Sequence, residues 1–195
     1  MQSQAQIEEK TARRLVNGVD VGALKETIEA IKADPELGRS QWRNRNCWID
    51  GGLNRSTIQS FYAAKQEDTS RTEPFVYDND EPPVLLGENR GPNPVEFVLH
   101  ALAGCLTTTV VYYAGALGIE LDTVETTFEG DIDLRGLLGI TDEVRNGYEE
   151  IRVQFKIEGE GLTDDQRDQL IEIAQAHSPV FDIVSNGVPV SVAVA

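Results

Sequence analysis

Cysteine is almost absent from this chain: Cys47 and Cys105 are the two among 195 residues. Two thiols cannot form the disulfide framework of a small secreted domain. Two cysteines and two histidines, scattered, give no metal-ligand spacing, so no metal is expected. Positive charge is scarce too, with 17 Lys and Arg against 33 Asp and Glu and a net charge of −16. Such a surface repels phosphate backbones and anionic headgroups. That argues against nucleic acid and membrane surfaces as partners, and it favours solubility. No apolar run argues a membrane span, because the longest one carries Glu96, His100 and a run of threonines and has the length of a buried helix. The opening MQSQAQIEEKTARR lacks the apolar core of a signal peptide. The expected compartment is therefore the cytoplasm, where thiols stay reduced. P-loop, G-x-G-x-x-G and G-x-S-x-G motifs are missing as well, and no cofactor is expected.

What is present is enough apolar material for a core: 40% of the residues are hydrophobic, and the length suffices without staples. Residues 1–39 read as a helical extension. A short helical pattern from Ile7 to Val16 stops at Asn17-Gly18. A second helix, capped by Asp20 and ended by Asp34-Pro35, carries a Leu24, Ile28, Ile31 stripe. The main domain, 41–195, opens on strands. Trp42–Ile49 and Thr57–Ala63 flank Asp50-Gly51-Gly52, which predicts a hairpin. Residues 65–74 and 78–93 read as loop.

Asn93 to Gly118 then reads as one long helix, apolar nearly all round, which must be buried on every side. Asn93 suits the N-cap, Pro94 the first turn, and Glu96 completes a capping box. Strand alternation follows at Val124–Leu134 and, more cleanly, at Tyr148–Glu158. A capping box at Thr163 and Gln166 opens a helix to about Ala176, Ser178-Pro179 starts another helical turn, and Val188, Val190, Val192 and Val194 alternate as a last strand. This order predicts an α+β fold with a mostly antiparallel sheet.

Cys105, at the centre of the long helix, is the first candidate for chemistry. Mid-helix it gains nothing from the helix N-terminus, so a thiolate there needs a cation. The arginines on the predicted hairpin are the candidates, with Arg55 preferred to Arg45. The competing reading makes Cys105 a small packed core residue. Glu96, nine residues away, lies about 13 Å along the helix and on its opposite face, so any contact with a Cys105 thiol must come from another copy. Its capping role accounts for it without chemistry. Tyr112, at i+7, shares the Cys105 face and either lines an apolar pocket or packs in the core. Ser178 is a natural N-cap, or a pocket hydroxyl to which His177 adds a proton donor. Cys47, on a strand, is a second thiol that could exchange with the first.

Asn93-Pro94 opening a helix, Ala103-Gly104-Cys105-Leu106 in its middle and Ser178-Pro179-Val180 near the end resemble the OsmC/Ohr family over roughly residues 41–195. The resemblance implies an intertwined homodimer with long central helices wrapped by sheets. It also implies a thiol-dependent reductase of organic hydroperoxides, with Cys105 as the nucleophile and Arg55 near the activating arginine. The family's resolving cysteine aligns with Ser178, and its active-site carboxylate position holds Val95, with Glu96 one residue on. Both departures resemble the OsmC-like branch. They imply an external thiol reductant, with a small apolar hydroperoxide as substrate. The alternative is a non-catalytic OsmC-like protein that binds a small molecule, with Cys105 structural.

Overall fold

The computed structural model describes residues 15–194. Its contacts divide the chain into two compact units. One is Gly22–Val98. The other joins the segment up to Val21 with the chain from Leu99 onward.

In the first unit, helix α1 (Val21–Ala33) ends where Asp34 caps a 3₁₀ turn, Pro35–Gly38. Strands β3 (Arg45–Asp50) and β4 (Leu53–Ile58) form the expected hairpin around Gly51-Gly52. Two shorter strands, β5 (Phe61–Ala63) and β6 (Gln66–Asp68), pair with each other, and β7 (Phe75–Asn79) pairs with β4. The three-stranded order is β3-β4-β7, all antiparallel. The sequence therefore placed too much in loops. Residues 65–74 contain β6, and Phe61–Ala63 pairs with β6 as a separate strand instead of extending β4. Along α1 the predicted stripe is real but largely uncovered, with Ile28 at 43% and Ile31 at 37% exposure.

The second unit is organised by the long helix α2 (Pro94–Leu117), which begins in the first unit's stretch of sequence. Leu102, Leu106, Val110 and Ala114 recur every four residues and so share one face. They are buried against Ile157 of β9 (Glu150–Glu158) and against Leu170 and Ala174 of α4 (Asp164–His177). Strand β9 pairs with β8 (Thr123–Asp131) in unbroken antiparallel register from Thr123↔Glu158 to Asp131↔Glu150. Val124, Phe128, Ile151, Val153 and Phe155 face the core. The other side is a solvated charge ladder in which Arg152 meets Glu129, Asp131 and Glu150, and Lys156 meets Glu125 and Glu158. Exposed pairs of this kind add little stability. A short helix, α3 (Leu134–Leu137), capped by Asp133, replaces the predicted continuation of β8 through Leu134. Helix α5 (Pro179–Asn186) follows α4 directly and ends at Gly187, whose φ is 66°.

Burial on every side of α2 does not occur within one chain. By length and composition the helix is apolar enough to cross a membrane, yet a core helix passes the same test. One stripe is packed, while Ala101, Gly104, Thr108, Tyr112 and Ala116 are exposed. Among the described residues the predicted last strand has no strand partner either. Val188 to Val194 run outside any described ladder, and Val192 is 92% exposed. Pairing supplies what alternation alone cannot, because an isolated strand leaves its backbone groups to water.

Most of the predicted Ile7–Val16 helix lies outside the described residues. Its end is not helical: β1 (Leu15–Val16) and β2 (Val19–Asp20) form a tight hairpin. Asn17 and Gly18, with φ of 53° and 76°, supply the two left-handed positions of such a turn. The Asn17 amide then clamps the chain after α2, donating to the Ile119 carbonyl at 2.9 Å and accepting from the Leu121 N–H at 2.8 Å. Gly115 lets the hairpin approach, since a Cβ there would stand 3.3 Å from the Val16 carbonyl oxygen. Asn17→Ala loses both bonds and replaces a residue that tolerates the left-handed region with one that does not. Urea unfolding is expected to report a loss of about 2–3 kcal/mol. Asn17→Gly, which keeps the turn, is expected to recover about 1 kcal/mol of it.

Candidate functional site

Helix α2 carries Cys105 and is built as its first turn predicts. The Asn93 Oδ1 accepts from the Val95 N–H at 2.9 Å, and a Glu96 carboxylate oxygen accepts from the Asn93 N–H at 2.8 Å. These bonds satisfy N–H groups that a helix start leaves open. Glu96 is thus occupied by the cap. Cys105 is half-buried, one step round from the core stripe at Leu102 and Leu106. Beside it Gly104 faces open space, with nothing within 4 Å of where a Cβ would stand. Thr109 donates its hydroxyl to the Cys105 carbonyl at 2.8 Å, which leaves the thiol out of that bond. Tyr112 is 48% exposed, so the single chain does not bury it.

Ser178 and His177 sit at the junction of α4 and α5. Ser178 is 1% exposed, and its Oγ accepts from the Phe181 N–H at 3.2 Å. Capping α5 therefore uses that lone pair. A cavity of about 490 Å³ opens here, lined by Gln175, His177, Ser178, Phe181, Asp182 and Asn186. Asn186 donates to Asp182 at 2.7 Å across its wall. The His177 imidazole stacks on Tyr113, centroids 5.1 Å apart and planes 16° apart. Sequence reasoning chose Tyr112 by its face and passed over Tyr113. The clue was the i+8 position, which turns about 80° from Cys105 and so reaches the α4 side.

Arg45, Cys47 and Arg55 belong to the β3-β4-β7 sheet of the other unit. Directly paired residues point to the same side of a sheet. Cys47↔Arg55↔Asp78 therefore form one row on one face, while Asn46↔Ser56↔Tyr77 form a row on the other. Tyr77 meets Phe97 of α2 edge-on at 6.1 Å, so the arginines and Cys47 share the face turned away from that contact. Arg55 grips Asp78 with two bonds, 2.6 Å and 2.7 Å. The guanidinium hydrogen bond holds the Asp78 carboxyl below its usual range. Cys47 is exposed. Among the described residues no group of three or more His, Cys, Asp or Glu converges as a metal site.

Asp80 was missed altogether, because nothing local marks it. Its side chain is fully buried, with Oδ1 accepting from Glu81 N–H at 2.9 Å and Oδ2 from Glu88 N–H at 3.2 Å, Arg90 N–H at 3.0 Å and Arg90 Nε at 3.3 Å. One carboxylate thus ties Glu81, Glu88 and Arg90 of the 80–93 loop together. The loop's Glu81 in turn accepts from the Asn93 side chain that caps α2.

Residues 87–193 match the sequence model of a family described as OsmC-like protein. The chain belongs to the OsmC family. Among solved structures, an OsmC-like protein from Mycoplasma pneumoniae is 14% identical with a TM-score of 0.57, over 75% of this chain and 88% of its own. An OsmC-like protein of unknown function from Vibrio cholerae is 11% identical at 0.57, over 75% and 95%. An organic hydroperoxide resistance protein OsmC from Legionella pneumophila is 17% identical at 0.51, over 75% and 91%. Identities this low speak for the fold. No curated protein matches. The OsmC match spans Cys105 and Ser178 and leaves the N-terminal hairpin and α1 outside it.

The Asp80 carboxyl is held below its ordinary value of 3.8, chiefly by the Arg90 backbone N–H and against the opposing effect of burial. A depressed folded pKa gives stability that is present above the unfolded pKa and lost as pH falls through the folded one. Asp80→Asn is therefore expected to lower the melting temperature at pH 7. Its difference from the native chain should shrink in scans carried below pH 3.8.

Proposed function

We propose that this OsmC-family chain is a cytoplasmic, homodimeric, thiol-dependent reductase of organic hydroperoxides. The observation that carries the reading is the position of Cys105 within the family match. The thiol stands at the rim of the α2 core stripe, beside the open face at Gly104. The Cys105 thiolate attacks the terminal oxygen of the hydroperoxide and the O–O bond breaks. The alkoxide takes a proton and leaves as the alcohol, and the sulfur is left as a sulfenic acid. Two equivalents of an external thiol then return it to the thiol, releasing water and a disulfide. The external reductant is needed because Ser178 supplies no resolving sulfur. Holding the thiolate falls to a guanidinium. For Arg55 that requires giving up Asp78, which makes Arg45 the lower-cost donor. Tyr112 and His177 would contact the bound hydroperoxide, and Ser178 would shape the pocket wall.

The dimer follows from what one chain leaves uncovered. The Ala101, Gly104 and Thr108 face of α2 has side chains small enough for another helix to approach closely, and Val188–Val194 alternates as a strand would but lies in no ladder among the described residues. Val192→Pro removes a backbone donor that such a ladder needs. Sedimentation is expected to show the variant shifting to monomer where the native chain is dimeric.

A second reading has one specific support: Ser178, at the resolving position, is spent as a helix cap. Cys105 would then be structural, and the fold would bind a small molecule without turnover. Cumene hydroperoxide separates the two. Native protein with a dithiol is expected to consume it catalytically and to form a trappable sulfenic acid. Cys105→Ser is expected to lose at least about 100-fold in rate, as loss of a nucleophile does. Unchanged consumption by the variant would leave the binding reading.

A further inference from the structure

One face of the β3-β4-β7 sheet carries no charged side chain, in a chain where 26% of residues are charged. The registers place Trp48, Asn54 and Asn79 in one row across the three strands, and Asn46, Ser56 and Tyr77 in the next. Arg45, Arg55 and Asp78 all fall on the opposite face. Charge is thus sorted between the two sides of a single small sheet.

The polar groups of the neutral face are joined to one another. Asn46 Nδ2 donates to Asn54 Oδ1 at 2.6 Å and to Ser56 Oγ at 3.0 Å. Asn79 Nδ2 donates to the same Asn54 oxygen at 3.2 Å, and Asn44 Nδ2 donates to Ser56 Oγ at 3.2 Å. The amides are therefore held in fixed orientations. The carbonyl oxygens of Asn44, Asn46 and Asn79 and one N–H of Asn79 are not taken up by these bonds. Trp48, at one corner, is 73% exposed, and its indole N–H is tied to the Gly51 carbonyl at 3.1 Å. Tyr77, at the diagonal corner, is 41% exposed but its ring already meets Phe97 edge-on at 6.1 Å, so the open part of the face lies toward Trp48.

A fixed, exposed indole beside fixed neutral donors and acceptors has a definite chemical complement. Its ligand presents C–H groups on one face for the ring and hydroxyls on its rim for the amides. A charged ligand finds no counter-charge here. An alkyl chain would cover the amide groups without bonding them, which costs free energy. With strands about 4.8 Å apart and alternate residues about 6.7 Å apart, the six positions span about 10 by 7 Å, room for about one sugar ring. Pre-organised groups also lose little freedom on binding.

We propose that this face binds a neutral polyhydroxylated molecule, a sugar or cyclic polyol, with Trp48 as the stacking platform and Asn46 and Asn79, held in place by Asn54, as partners for its hydroxyls. The site is independent of Cys105 chemistry and stands whether or not that reading holds.

The test uses the full chain carrying Trp42→Phe, so that Trp48 is the remaining indole. Glucose, maltose and myo-inositol are titrated by fluorescence and calorimetry, with glucose 6-phosphate beside them. The expected result is saturable quenching with a Kd of roughly 1 mM or tighter for at least one neutral probe, and weaker binding of the phosphate. Asn46→Ala is expected to weaken binding at least about tenfold, and Trp48→Ala, read by calorimetry, to abolish it. Circular dichroism confirms that each variant is folded. Absence of saturation by every neutral probe up to about 100 mM overturns the proposal, that being too weak for a built site. So does an indole shielded from acrylamide in the assembled protein, which would make this face an interface between copies.

Discussion

The packed stripe Leu102, Leu106, Val110 and Ala114 is the contact on which the second unit depends. Each large side chain in it, on full burial, is worth about 1.5–3 kcal/mol. The β8–β9 hairpin and α4 both form against it, and each contributes an apolar face that has no other cover. The same stripe fixes the rotation of α2. Once these four residues face the core, Cys105 must stand at the rim, and Gly104, Thr108 and Tyr112 must look outward. The geometry around the thiol is thus a by-product of core packing, requiring no special local conformation.

Charge is handled by sorting more than by pairing. Arg152 and Lys156 sit in ladders on the wet side of β8–β9, and Arg55 meets Asp78 on one side of its sheet. The apolar and neutral faces stay free of charge. Asp80 is the exception. A buried carboxylate is costly unless its lone pairs are filled. Here the fill comes from the backbone of the loop it organises, so the cost is met by the same bonds that give an irregular segment a single shape. That shape extends through Glu81 to the cap of α2, which ties a loop with a single 3₁₀ turn, Pro83–Leu85, to the start of the longest helix.

Two kinds of surface remain open on the single chain. Among the described residues the outward face of α2 and the Val188–Val194 segment stay uncovered, and the proposed dimer rests on them. The amide face of the β3-β4-β7 sheet differs, since its polar groups are already organised. In the first case the physical need is burial. In the second it is recognition of something that carries its own hydrogen bonds.

Sequence alone determined the elements whose signals are local. The Asn93 cap with its Glu96 bond, the capping box at Thr163, the Asp34-Pro35 stop, the Gly51-Gly52 turn and the period-two pattern of β9 each depend on neighbours within a few residues, and each is present. The family, too, was legible, from Asn93-Pro94, Ala103–Leu106 and Ser178–Val180. Tertiary structure alone decided what depends on distant partners. Leu15-Val16 became a strand because Asn17 found the chain at Ile119 and Leu121, a hundred residues away. Val188–Val194 kept its alternation but gained no ladder, since a strand is completed only by another strand. Which face of the β3-β4-β7 sheet would hold Arg55, and that Asp80 would be buried, followed from register and loop closure. A sequence pattern states that side chains alternate, and the fold states what each side meets.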